Sequence, residues 1–188
     1  MLSAIGEGDI TLDVSKFENV IALFESERIA LQIQGDGSGP SFSAQSSNWS
    51  LELLTKRKKP QLTAEVFSFF KIESDGIRSA YELHLDIRQA ATDTFEFSLP
   101  ESTPQELTIR GMDKVSVKET TSRVEKGKRI WSIKLSNRMT GTAKLYVEHT
   151  TNLETGVDLS LPIASVSQTI YQTGVIALEG DDELEIQF

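Results

Sequence analysis

The stretch Tyr81-Glu-Leu-His-Leu-Asp-Ile87, YELHLDI, decides the fold class. Its apolar residues Tyr81, Leu83, Leu85 and Ile87 alternate with Glu82, His84, Asp86 and Arg88, the pattern of a β-strand with one buried and one solvated face. Working outward, similar alternating runs recur at WSLELLT, TFEFSL, ELTIRG, KVSVKET, RIWSIKL, TAKLYVEH, QTIYQTGVIALE and ELEIQF, and RIALQIQ reads the same way. Turn formers separate them: Gly35 to Pro40, Ser74 to Gly76, Gly111, and Gly180 to Asp182. Many short strands at this spacing predict an all-β, antiparallel β-sandwich, either one extended sandwich or two small packed ones.

One segment departs from period two. In SKFENVIALF, Phe17, Val20, Ile21 and Phe24 recur at helical spacing, and Ser15 followed by Glu18 has the form of a capping box. This predicts one short helix over about residues 16–25, which must lean on a sheet to persist. In LTAEVFSFFKIE the apolar residues Leu62, Ala64, Val66, Phe70 and Ile72 fill one face while Phe67 and Phe69 interrupt the other. Both sides of that strand are therefore expected to be covered, by the helix, a second sheet or a neighbouring chain. Burying the two rings would contribute on the order of 3 to 6 kcal/mol before entropy.

The segment Gly127 to Thr150, GKRIWSIKLSNRMTGTAKLYVEHT, reads as a hairpin turning between Asn137 and Gly141. In that register Trp131 faces Val147 in the core, and Arg129 faces His149 at the rim, where the histidine stays neutral. The chain as a whole is expected to form a single β-rich unit over residues 1–188, with residues 74–76 the one place where a boundary could fall. Ser-Leu-Pro occurs twice, at Ser98 to Pro100 and Ser160 to Pro162, and reads as a strand stop, because proline has no amide to donate to a ladder.

The 188 residues suffice for a domain that buries roughly 70% of its unfolded surface. The absence of cysteine excludes disulfides, thiolate metal sites and a cysteine nucleophile, and is compatible with cytoplasm, periplasm or cell surface. A net charge of −9 disfavours nucleic acid and anionic membranes, since phosphate binding is driven by releasing counterions from a polyanion. No window approaches the roughly 20 apolar residues of a membrane span, so no membrane insertion is expected in this segment.

The order KKPQLTAEVFSFFKIE, YELHLDI, FEFSLPES, GKRIWSIKL and GTAKLYV resembles β-sandwich segments of large, poorly characterised bacterial cell-envelope proteins. The resemblance spans about residues 59–180 and rests on strand spacing, the Leu99-Pro100-Glu101 stop and the Gly141-x-x-x-Leu145-x-Val147 strand. It implies a fragment of a multi-domain envelope or secreted protein, periplasmic or extracellular, with the signal peptide upstream. It transfers no catalytic or ligand residues.

No catalytic motif is present: G-x-S-x-G, H-E-x-x-H, the P-loop and G-x-G-x-x-G are all missing. His84 is flanked by Glu82 and Asp86 on one strand face, within reach of a shared cation or proton, yet a metal needs three or four convergent ligands and a solvated strand face explains the same residues. Asp181 and Asp182 could hold calcium weakly, but charges on an edge strand equally discourage aggregation. The Gly35 to Gly39 run GDGSG lacks the partners of a P-loop or EF-hand and reads as a turn. Lys56 to Lys59, KRKK, reads as a solvated loop before Pro60.

The sequence therefore points to a non-catalytic structural or interaction module whose partners are other protein domains of the same or neighbouring chains, with no cofactor. A carbohydrate-binding module is the alternative, with Tyr146 and Trp49 as the platform for glycans and His84 as a further ligand candidate. A carboxylate-based hydrolase is the second alternative.

Overall fold

A computed structural model describes residues 2–4, 6, 8–31, 39–152 and 159–181. The chain divides into two compact units, Met1–Lys59 and Pro60–Phe188.

In the first unit, β1 (Leu2–Ser3), β2 (Ile10–Glu18), β3 (Val20–Ala22), α1 (Glu25–Ala30), β4 (Ser41–Ala44) and β5 (Ser50–Arg57) follow in order. They form a three-stranded sheet β1-β4-β3 and a two-stranded sheet β2-β5. The helix expected over residues 16–25 is not there. Residues 16–18 finish β2, Asn19 turns the chain at φ 53°, and Val20–Ala22 pair with β4. The helical spacing misleads because a helix of that length needs an apolar surface, and of its four apolar residues only Val20 is buried. Ile21 and Phe24 remain 56% and 77% exposed.

The helix starts later instead, where Glu25 and Glu27 lie in its first turn and favour the N-terminal dipole. The Phe24 amide donates to the Glu27 carboxylate at 2.8 Å, so the reciprocal half of a capping box is supplied by Glu27 and not by Glu18. Arg28–Ala30, expected within a strand, close this helix with Leu31 as its C-cap, and residues 32–34 of that expected strand lie outside the described residues.

The second unit contains β6 (Gln61–Ile72), β7 (Gly76–Pro100), β8 (Thr108–Gly111), β9 (Val117–Glu125), β10 (Lys128–Asn152), β11 (Ser165–Val166) and β12 (Thr169–Gly180). Residues 74–76 lie in the tight turn between β6 and β7, where the Glu73 amide donates to Gly76 O at 2.8 Å. The architecture is set by β7 and β10, each 25 residues long and paired antiparallel. Both bend midway. Gln89 takes a left-handed φ of 68°, and the register slips between Lys134 and Gly141, whose φ is 79°. Such bulges re-aim a strand without ending it.

Each long strand then serves two layers. The N-terminal half of β7 pairs with β6 and the C-terminal half of β10 with β8, giving the sheet β12-β6-β7-β10-β8; the other halves pair with β11 and β9. All pairings are antiparallel except β12 with β6. The apolar faces of both layers enter one cluster, in which Leu83, Leu85, Ile133, Leu145 and Val147 are at most 1% exposed. A sheet face so dry needs a second layer over it, and the bend supplies one: the unit is an all-β, mainly antiparallel sandwich.

The expected hairpin over residues 127–150 is overturned, since β10 is one strand through the whole stretch. Asn137 to Gly141 form the bend. The tight hairpin turn falls at Lys126-Gly127, both at positive φ, which closes β9 onto β10 with Glu125 opposite Lys128. Trp131 is core, at 2% exposure, but against different neighbours: it stands between Phe97 and Ser122 in register and stacks on Phe97 at 5.3 Å. Its indole N–H donates to Gln105 O at 3.3 Å.

His149 is buried and opposite Ser79, far in register from Arg129, which pairs with Leu99 and Val124. The imidazole stacks on Tyr81, whose hydroxyl donates to Pro162 O at 2.6 Å, and its Nδ1 is buried without a hydrogen-bond partner. Burial lowers the histidine pKa, so the neutral form is kept by desolvation and not by an arginine. Burial also pushes the Tyr81 hydroxyl up.

Candidate interaction face

Because one face of the β12-β6-β7-β10-β8 sheet is consumed by the core, its outer face collects the remaining alternate residues. Register places them in rows running across the strands. One row is Val175, Phe67, Glu82, Tyr146 and Arg110; the next is Ala177, Phe69, Ala80, Glu148 and Thr108. The strand-edge ends of these two rows form a contiguous apolar patch of Val175, Phe67, Ala177, Phe69 and Ala80. Val175 and Phe69 remain 56% and 47% exposed. The expectation that Phe67 and Phe69 are covered is corrected here: Phe67 is half-buried against the His84 ring at 4.9 Å, and Phe69 is open.

Polar and charged side chains border the patch at both ends and on its β7 and β10 side, and most of them have partners. Arg78 donates to Glu148, which raises the arginine pKa. His84 Nε2 lies 3.2 Å from Glu82. Lys71 is 3.7 Å from Glu73, and Arg88 is 2.7 Å from Asp86. The Arg110 guanidinium stands 4.4 Å over the Tyr146 ring, a cation–π contact. Desolvation first, and then Glu148, raise the Tyr146 pKa, keeping its hydroxyl a neutral donor.

Two shallow depressions flank the patch. One, of about 440 Å³, is lined by Phe69, Lys71, Arg78, Ala80, Tyr146 and Ala177. The other, of about 330 Å³, is lined by Thr63, Glu65, His84, Asp86, Thr142 and Tyr171 and is the more polar. Tyr171, 58% exposed, closes its edge.

Of the residues singled out in the sequence, His84 and Tyr146 share this face. Trp49 belongs to the first unit, in the connection from β4 to β5, and is 42% exposed. The Asp181 amide donates to Ile72 O at 3.0 Å and so continues the β12–β6 pairing; Asp182 and most of Gly35 to Gly39 lie outside the described residues. Among the described residues no group of three or more histidines and carboxylates could hold a metal ion. No helix among them is long and apolar enough to cross a membrane.

The carboxylate best held by a partner is Glu96. Arg123 grips it with two hydrogen bonds, at 2.6 and 3.0 Å, and lowers its pKa, the opposite of what a general acid requires. Val175, Ala177 and Ala80 were missed by sequence reasoning. For Val175 and Ala177 composition gives a signal, since β12 carries a single charged side chain, but their union with Phe67 and Phe69 depends on the parallel β12–β6 register, and that of Ala80 on the antiparallel β6–β7 register, which no local pattern states.

No protein-family model matches the chain, and no curated protein matches it. Among solved structures it is similar to a non-cellulosomal cohesin from the hyperthermophilic archaeon Archaeoglobus fulgidus. That match has a TM-score of 0.34 and 14% identity, and covers 65% of this chain and 93% of the other. At that level the similarity assigns neither a partner nor an activity here.

Proposed function

We propose that the second unit is a non-catalytic interaction module that docks a protein partner on the outer face of its five-stranded sheet. The observation that carries this reading is the exposed apolar patch of Val175, Phe67, Ala177, Phe69 and Ala80, bordered by polar and charged side chains on every side except the β12 edge. That arrangement, apolar centre and polar rim, is the anatomy of a protein interface. Isolated surface apolar residues need no explanation, but a contiguous, rimmed group does. Tyr146 and Arg110 stand at its border and are residue types enriched at binding hot spots. As the setting we propose a larger bacterial envelope or secreted protein, supported by the strand-spacing resemblance described above.

The test compares partners retained by the wild-type chain and by Phe69→Lys from extracts of the source organism, with Val124→Lys on β9 as the surface control. A partner lost with Phe69→Lys and kept with the control supports the reading. A partner kept by both removes the face from consideration.

A second reading is glycan binding in the polar depression, favoured by the exposed Tyr171 ring beside Thr63, Glu65, Asp86 and Thr142. It differs from the sequence expectation, because Arg110 already covers the Tyr146 ring. Glycan-array binding abolished by Tyr171→Ala would select it over protein docking, and a blank array would dismiss it.

A further inference from the structure

Among the described residues the second unit has four strand edges without a strand partner, and three of them carry a device against strand-to-strand association. β11 is two residues long, β8 is four, and β9 presents Lys118, Glu119, Arg123 and Glu125. β12 has none of these. It is twelve residues long, contains no proline, and holds one charged side chain, Glu179, near its end. Among the described residues its only strand partner is β6, and no described strand pairs with its second edge of amides and carbonyls.

Its apolar side chains point both ways. Tyr171 and Val175 share the outer face with Thr63 and Phe67, whereas Ile176 aligns with Ser68 on the core side and is still 55% exposed. The second layer, which ends in the two-residue β11, does not reach far enough to cover it.

We propose that β12 pairs antiparallel with β12 of a second copy of this chain, around a two-fold axis at Val175. Self-pairing about that residue sets Tyr171 opposite Glu179, Gln172 opposite Leu178, and Thr173 opposite Ala177. Side chains on the same face then meet, as a continuous sheet requires, and the lone Glu179 faces a tyrosine instead of its own copy. The strand's near-neutrality matters because the whole chain carries a charge of −9, and β12 is where two copies can meet without opposing like charges. The added strand covers Ile176 from the side the second layer leaves open. Two five-stranded sheets become one, and the two outer-face patches become continuous.

A stable interface buries roughly 800 Å² per partner, and one edge strand with four half-exposed apolar side chains supplies on the order of half that, so the dimer is concentration-dependent. The pairing uses the backbone edge of β12 and Ile176 on the core side, and Val175 is shared with the docking patch; Ile176→Lys and Phe69→Lys therefore test the two readings separately.

The cysteine-free chain makes the test direct. Light scattering on the full chain should show mass rising towards a dimer across an about 100-fold concentration series, and Ile176→Lys should hold it monomeric. Val175→Cys should oxidise to a disulfide-linked dimer at least about tenfold faster than Val124→Cys on the charged β9 edge, because pairing raises the local thiol concentration. Circular dichroism confirms that each variant is folded. A monomer at every concentration, equal oxidation rates, or a dimer that survives Ile176→Lys would each overturn the proposal.

Discussion

Trp131→Ala probes the core on which the sandwich depends. The side chain is 2% exposed, stacks on Phe97 with ring planes 11° apart, and donates its N–H to Gln105 O. A buried tryptophan removes about 150–250 Å² from water, worth about 4–6 kcal/mol at 25 cal/mol per Å². Alanine keeps a small part of that, and partial collapse of the site around it recovers some more, so the net loss should be about 3–5 kcal/mol. The orphaned Gln105 carbonyl adds little, since Gln105 is exposed and water can replace the indole. Trp131→Phe, which retains the stack but loses the donor, should cost less than half as much.

Urea unfolding followed by far-ultraviolet circular dichroism measures both. Tryptophan fluorescence does not, because in Trp131→Ala the remaining Trp49 reports only the first unit. A loss below about 1 kcal/mol for Trp131→Ala would refute the reasoning, because surface substitutions stay near that range.

Two further outcomes follow from single contacts. At Gly174 a Cβ would lie 2.3 Å from Val66 O, so Gly174→Ala should push β12 off β6 and speed amide exchange along β12 while β7 stays protected, as hydrogen exchange would show. His149 is held neutral by burial, so its folded pKa lies below the unfolded value near 6.5; the unfolded chain gains the proton first, and stability present above about pH 6.5 falls on acidification, by at most about 1.4 kcal/mol per pH unit. His149→Gln should flatten that part of a stability-versus-pH profile, and an unchanged slope would remove His149 as its source.

Much of the fold is legible in local pattern. YELHLDI alternates as required, and Tyr81, Leu83, Leu85 and Ile87 are all buried on one face. What the pattern conceals is connectivity. Asn137 and Gly141 carry turn chemistry, and turn chemistry serves equally for a bulge; the choice lies with β7, long enough to pair with β10 on both sides of the bend. The same limit hid the docking face. Phe67 and Phe69 stood out as apolar on the wrong side of their strand, but what joins them to Val175 and Ala177 is the register of a strand more than 100 residues later in the chain. The helix shifted for a different reason. Spacing alone suggested residues 16–25, while exposure of Phe17, Ile21 and Phe24 shows that no apolar surface rewards a helix there.

Backbone register in β10 is the direct test of the account, because the bent long strands position both the core and the outer face. Nuclear Overhauser contacts should connect Trp131 to Phe97 and Ser122, and Tyr146 to Glu82 and Arg110. Contacts of Trp131 with Val147 and of Arg129 with His149 would instead show a hairpin within residues 127–150, and the face described here would not exist.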